Sequence, residues 1–185
     1  MVELIEKSNT EVKDIAHSNE TKIGTTMSVL VCINNKYYIA HVGDSRIYIY
    51  DGELRLLTED HTYYASLIKK GYIEESKKIK KNILTQCVGY HEDIHVYTAK
   101  GNINNNCIFM ACSDGLYNKL DETFIISKLN YTKVHESDSY LRRCCNQFIN
   151  FVKRKEEKDN ISIILLSAKL KKQSIKDRII NIFKK

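Results

Sequence analysis

Two short words, Asn34-Asn35 and Asp51-Gly52, constrain this chain more than any other feature, because each lies between two runs that read as β-strands. Residues 27–33 and 36–42 flank the first, and residues 46–50 and 53–57 flank the second. Asparagine and glycine tolerate the positive φ that tight hairpins demand. The middle of the chain is therefore expected to be an antiparallel meander.

Further strands are expected over 93–98, 107–112 and 159–168, with a polar turn over 101–106. Apolar residues at helical spacing predict helices over 2–17, 62–70, 121–129 and 139–155. Gly71 stops the second of these, and Asp121 and Glu122 favour the start of the third. The polar stretch 74–81 reads as an exposed helix or flap. Antiparallel strands with segregated helices make an α+β plan.

With 185 residues the chain fits one domain, residues 1–168, followed by a basic tail, 169–185. No run approaches the roughly 18 apolar residues of a membrane span. The first residues, Met1-Val2-Glu3-Leu4-Ile5-Glu6-Lys7, are acidic and polar rather than basic and then apolar, so a cytoplasmic protein is expected. The six cysteines form no C-x-x-C pair and read as reduced thiols used as small core hydrophobes.

The formal charge of +6 is concentrated in the tail, which holds seven basic residues against Asp177. The rest is about neutral and does not interleave basic and aromatic residues, so nucleic acid is not an expected partner. Ile175, Ile179, Ile182 and Phe183 recur at near-helical spacing in the tail. The simpler reading is a peripheral helix with a solvated basic face; the alternative is a segment lying on an acidic membrane surface.

Three aspartates stand at the ends of the apolar runs: Asp44 after His41-Val42-Gly43, Asp114 after Ala111-Cys112-Ser113, and Asp159 before Asn160-Ile161-Ser162. Any one of them is an ordinary turn residue. Together they are three carboxylates held on rigid strand ends near solvent. Hard cations such as Mn²⁺ or Mg²⁺ take oxygen ligands of this kind, so all three are candidate metal ligands.

Six ordered words resemble the metal-dependent serine/threonine protein phosphatases of type 2C, especially the bacterial ones. They are Gly24-Thr25-Thr26, Asp44-Ser45-Arg46, Leu57-Thr58-Glu59-Asp60-His61-Thr62, Leu84-Thr85-Gln86-Cys87-Val88-Gly89, Ser113-Asp114-Gly115 and Asp159-Asn160. The resemblance implies an antiparallel β-sandwich flanked by helices. It also implies hydrolysis of phosphoserine and phosphothreonine in proteins, with a serine/threonine kinase or its substrates as partners. Asp114 and Asp159 would then be ligands of the first metal of a dinuclear centre, and Asp44 would share a weaker third metal with Asp114. In the family, the position of His61 is mainly structural, and Arg46 is expected to pair within the fold.

The family also has an Arg-x-x-Asn-Glu-Asp segment and an Asp-Gly-x-Gly-Gly segment before the Gly-Thr-Thr strand. The 23 residues before Gly24 contain neither. The expectation is a truncated chain lacking the first strands and half of the carboxylate cage, with impaired turnover on its own. A non-catalytic, pseudophosphatase-type interaction module is the alternative.

Overall fold

In the structure, a computed structural model that describes residues 1–130 and 138–169, both hairpins form. Strands β1 (Met27–Ile33) and β2 (Lys36–Val42) pair antiparallel from Ile33↔Lys36 to Met27↔Val42. Asn34 and Asn35 join them with φ of 49° and 58°, both in the left-handed region that a two-residue hairpin turn uses. The second hairpin has a longer loop than a two-residue turn. β3 (Arg46–Tyr50) and β4 (Leu54–Leu56) pair Tyr50 with Leu54, leaving 51–53 as the loop, and only Gly52 there has positive φ. β4 ends early because the Ile47 N–H turns to the Thr58 hydroxyl at 3.1 Å.

Two expected boundaries move. The strand placed over 93–98 lies later, as β5 (Tyr97–Asn102), and it runs through the glycine assigned to a turn. Gly101 sits opposite Tyr37 of β2, and a Cβ there would overlap the Tyr37 ring. That ring packs edge-on against Phe109, 5.6 Å between centroids. The glycine is thus a packing requirement inside a strand. Likewise the last strand, β7 (Ile163–Ala168), begins beyond the segment expected to open it, leaving Asp159 in a loop.

The strands form two antiparallel sheets, ordered β1-β2-β5 and β4-β3-β6-β7, with β6 at Cys107–Cys112. Their inner faces meet through Tyr37 and Ile39 from one sheet and Ile47, Ile49 and Phe109 from the other. Helix α1 (Val2–Ser18) covers the outer face of the first sheet, Ile5 packing with Ala40, Val42 and Val88. Helices α5 (Glu122–Lys128) and α6 (Asp138–Arg154) cover the second sheet, where Ile125, Cys144, Phe148 and Val152 bury against Ile108 and Met110. Helices outside two packed sheets are the sandwich expected. Among the described residues no helix is long and apolar enough to cross a membrane, and residues 170–185 of the tail lie outside the described residues.

The polar residue Asn9, in the middle of α1, has a specific use. Asn9 is buried; its Nδ2 donates to the His91 carbonyl at 2.9 Å and its Oδ1 accepts from the Gly89 N–H at 2.7 Å. One amide thus ties the helix to the loop beneath it. Asn9→Ala leaves two buried backbone groups unpaired and should cost about 2–3 kcal/mol, measured as a lower urea midpoint at unchanged slope.

The six cysteines are all free. Cys107, Cys112 and Cys144 are buried as core residues, whereas Cys32 is exposed on β1. Burial pushes the Cys107 and Cys112 thiols up to about 12. These two are inert at neutral pH.

The first sheet is too narrow to cover the second. Ile164 and Leu166 share the inner face with their register partners Ala111 and Phe109, yet they are 68% and 44% exposed. Among the described residues β1 and β7 are edge strands, and two pockets lie between them, one lined by Ile33 and Leu166 and the other by Ser28 and Ile164.

Candidate metal centre

β2, β6 and β7 bring their aspartate-bearing ends to one end of the sandwich. After β2, Gly43 takes a φ of 109°, and a Cβ there would overlap Thr26, so the turn into Asp44 requires glycine. The turn is braced by the His61 N–H donating to the Gly43 carbonyl at 2.7 Å and by Thr26 Oγ1 bonding Ser45 Oγ at 2.8 Å. Asp44 is thereby fixed and buried.

Asp114 opens the single-turn helix α4 (Asp114–Tyr117), and its Oδ1 accepts from the Gly115 N–H at 2.9 Å. Asp159 is exposed, and its Oδ1 accepts from the Asn160 N–H at 2.7 Å. The loop carrying Asp159 is strapped to the Asp114 turn. Ser113 Oγ donates to the Asn160 carbonyl at 3.1 Å, and the Ser113 N–H donates to the Ser162 carbonyl, also at 3.1 Å. Gly115 lies flush against that loop, so that a Cβ on it would overlap the Asn160 carbonyl oxygen and stand 3.2 Å from the Asp159 Cβ.

The carboxylates feel one another. Burial, then the charges of Asp114 and Asp60, push the Asp44 carboxyl up to about 6. Concentrated negative charge of this kind favours a bound cation. Among the described residues, however, no three His, Cys, Asp or Glu side chains are gathered closely enough to hold a metal ion. The donor chemistry fits a hard divalent cation and the donor count does not make a closed cage, so no catalytic step is derived through a metal here.

His41 and His61 are structural in this arrangement. His41 is fully buried, with Nδ1 2.8 Å from Ser28 Oγ and Nε2 3.0 Å from the Gly43 carbonyl, which assigns the Nε2–H tautomer. Burial, then the neighbouring His61, lower its pKa to about 4, so it is neutral at physiological pH. His61 Nδ1 accepts from the Gly43 N–H at 3.4 Å, and burial lowers its pKa also.

Arg46 pairs within the fold as expected. Nε and Nη2 clamp Asp60 at 3.0 and 2.7 Å, Nη1 donates to Tyr48 OH at 3.2 Å, and the guanidinium lies 3.8 Å over the Tyr117 ring. Although burial opposes its charge, the bonds to Asp60 and Tyr48 hold it firmly ionised. Sequence reasoning missed the roles of Asp60 and Tyr117. Asp60 stands in the Thr-Glu-Asp-His word and Tyr117 three residues after Asp114, but only folding shows that they meet Arg46.

Beside Asp44 opens a polar cleft of about 210 Å³, whose lining includes Asp60, Tyr64, Lys81, Asn82 and Tyr117. Lys81 and Asn82 come from the end of the polar stretch, which carried no motif of its own, and Tyr64 from the helix Tyr63–Lys69 that follows the Leu57–Thr62 word.

Comparison with known proteins converges on one group. The protein phosphatase 2C family profile matches residues 3–67. Protein phosphatase PhpP of Streptococcus pneumoniae is 32% identical over 149 residues, which are 78% of this chain and 58% of that protein. A serine/threonine phosphatase of S. agalactiae superposes with a TM-score of 0.75 at 29% identity, covering 90% of this chain and 68% of that one. The catalytic domain of the serine/threonine phosphatase PstP, solved with two manganese ions, shares the fold at a TM-score of 0.69 and 21% identity, covering 85% of this chain and 65% of that one. The chain therefore spans 58% of the length of PhpP.

Proposed function

This chain belongs to the type 2C protein phosphatase family, and on that footing we propose that it supplies the Asp44, Asp114 and Asp159 wall of a Mn²⁺- or Mg²⁺-dependent centre that hydrolyses phosphoserine and phosphothreonine in proteins. The observation that carries this reading is the strapping of the Asp159 loop onto the Asp114 turn, at the end of the sandwich where buried Asp44 lines the polar cleft. When bound, a metal at such a centre would supply an activated water and charge neutralisation for phosphoryl transfer. The chain's own residues place the carboxylates: Gly43 and His61 fix the Asp44 turn, and the Ser113 straps hold the Asp159 loop to the Asp114 turn. Arg46, committed to Asp60, stiffens the cleft wall and is not a free phosphate ligand.

Affinity for a divalent ion rises with ligand number and charge, so carboxylates that do not close into a three-ligand cage give weak binding. Titration calorimetry of the 185-residue chain with Mn²⁺ should show heat in the high micromolar to millimolar range, abolished by Asp114→Asn. Turnover of p-nitrophenyl phosphate by the same sample should be absent or marginal. A non-catalytic interaction module using the same sheets predicts instead no Mn²⁺ heat that depends on Asp114 and Asp159. Phosphorylated proteins, including a serine/threonine kinase, are the partners this reading implies, and cytoplasmic residence agrees with them.

A further inference from the structure

Residues 69–81 carry six lysines, Lys69, Lys70, Lys77, Lys78, Lys80 and Lys81, against only Glu74 and Glu75. Two of the lysines have carboxylate partners: Lys69 binds Glu59 at 2.6 Å and Lys77 binds Glu74 at 2.7 Å. Among the described residues no ion pair engages Lys78, Lys80 or Lys81. Lys81 instead stands 5.2 Å over the Tyr64 ring, and both residues line the cleft that contains Asp44. Four of the five positions from 77 to 81 are lysine, and all four are solvent-exposed.

This placement matters because the rest of the cleft is poor at receiving anions. Asp44 and Asp60 add negative charge to the wall, and the guanidinium of Arg46 is already clamped by Asp60. Lys81 is thus the lining cation with no carboxylate on it, and the lysines beside it extend positive potential away from the cleft mouth. Local potentials of one sign attract and orient a complementary ligand over about a Debye length, ~8 Å at physiological ionic strength.

We propose that the 77–81 lysine segment is a substrate-recognition surface that takes acidic side chains flanking the phosphorylated residue, with Lys81 at the boundary between this surface and the Asp44 cleft. The inference rests on the phosphatase reading for the phosphate itself, but the preference for acidic flanks comes from the lysines alone. Asn82 and Asn118, on the same cleft lining, offer neutral hydrogen-bonding groups that suit peptide backbone or side-chain amides.

The test uses the full chain with Mn²⁺ and fluorescein-labelled phosphothreonine nonapeptides whose flanks are all Asp/Glu, all Ala or all Lys, read by fluorescence anisotropy. The acidic-flank peptide should bind about tenfold more tightly than the lysine-flank peptide at 50 mM salt, with the gap shrinking at 500 mM. The K78Q/K80Q/K81Q variant, changed only at exposed positions, should reduce that ratio to about twofold or less while keeping the Mn²⁺ heat. Equal binding of the peptides, a reversed order, no binding of any peptide, or a triple variant that keeps the full ratio each overturns the proposal. Loss of Mn²⁺ heat together with a persistent acidic preference would instead sink the metal centre and leave the lysine surface standing.

Discussion

Gly115→Ala should abolish the Mn²⁺ response of this chain although no ligand atom is changed. An added Cβ at position 115 would overlap the Asn160 carbonyl oxygen, a backbone atom that cannot rotate away, and would press on the Asp159 Cβ. Either the Asp114 turn or the 159–160 loop must retreat, and the Ser113 bonds to Asn160 and Ser162 resist both movements. Overpacking of this kind costs about 1–3 kcal/mol. Because coordination tolerates errors of only a few tenths of an ångström, the separation of Asp114 from Asp159 should remove calorimetric Mn²⁺ heat entirely. Urea unfolding in EDTA would show the variant still folded. Mn²⁺ heat equal to that of the parent chain would mean that Asp114 and Asp159 do not act on one ion.

Asp44→Asn should have opposite effects with and without metal. The folded carboxyl titrates near 6, above its ordinary value of 3.8. Its favourable contribution is therefore fully present below about pH 3.8 and is lost as pH rises through 6. At pH 7.5 the ionised, buried Asp44 facing Asp114 destabilises the metal-free fold by about 1–3 kcal/mol, and the asparagine relieves this. In EDTA the variant's Tm should rise by about 2–12 °C, and the further rise that Mn²⁺ gives the parent should vanish.

His41 works against Asp44 in acid. With a folded pKa of about 4 against an ordinary 6.5, it leaves stability unchanged above pH 6.5 and lowers it as pH falls toward 4, because only the unfolded chain takes up the proton. Between pH 4 and 6 the two slopes oppose each other in the parent chain. The variant should lose stability in acid more steeply than the parent, and parallel Tm profiles in EDTA would refute the burial of charge at Asp44.

Both predictions depend on distances that no local pattern encodes. The asparagine hairpin and the six-residue core strand at Cys107–Cys112 were legible because turn chemistry and apolar run length are written in neighbouring residues. The late start of β5 was not, since Gly101 owes its place in a strand to a tyrosine more than sixty positions away. Nor was the role of Asn9, a polar residue inside a helix whose carboxamide bonds Gly89 and His91 some eighty positions away. For the site, the places of Asp44 and Asp114 just past the ends of β2 and β6 could be read from the sequence, whereas Asp159 lies in the loop before β7 and not at its end. How the loops pack could not be read, because the close approach of the 159–160 loop to Gly115 joins residues more than forty positions apart.

The bare inner side of β7 also shapes how this polypeptide behaves in solution. Ile164 and Leu166 present grease beside the unsatisfied amides and carbonyls along the outer margin of β1, a combination that invites lateral addition of any extended chain, including another copy caught half-folded. Self-association should therefore rise with protein concentration.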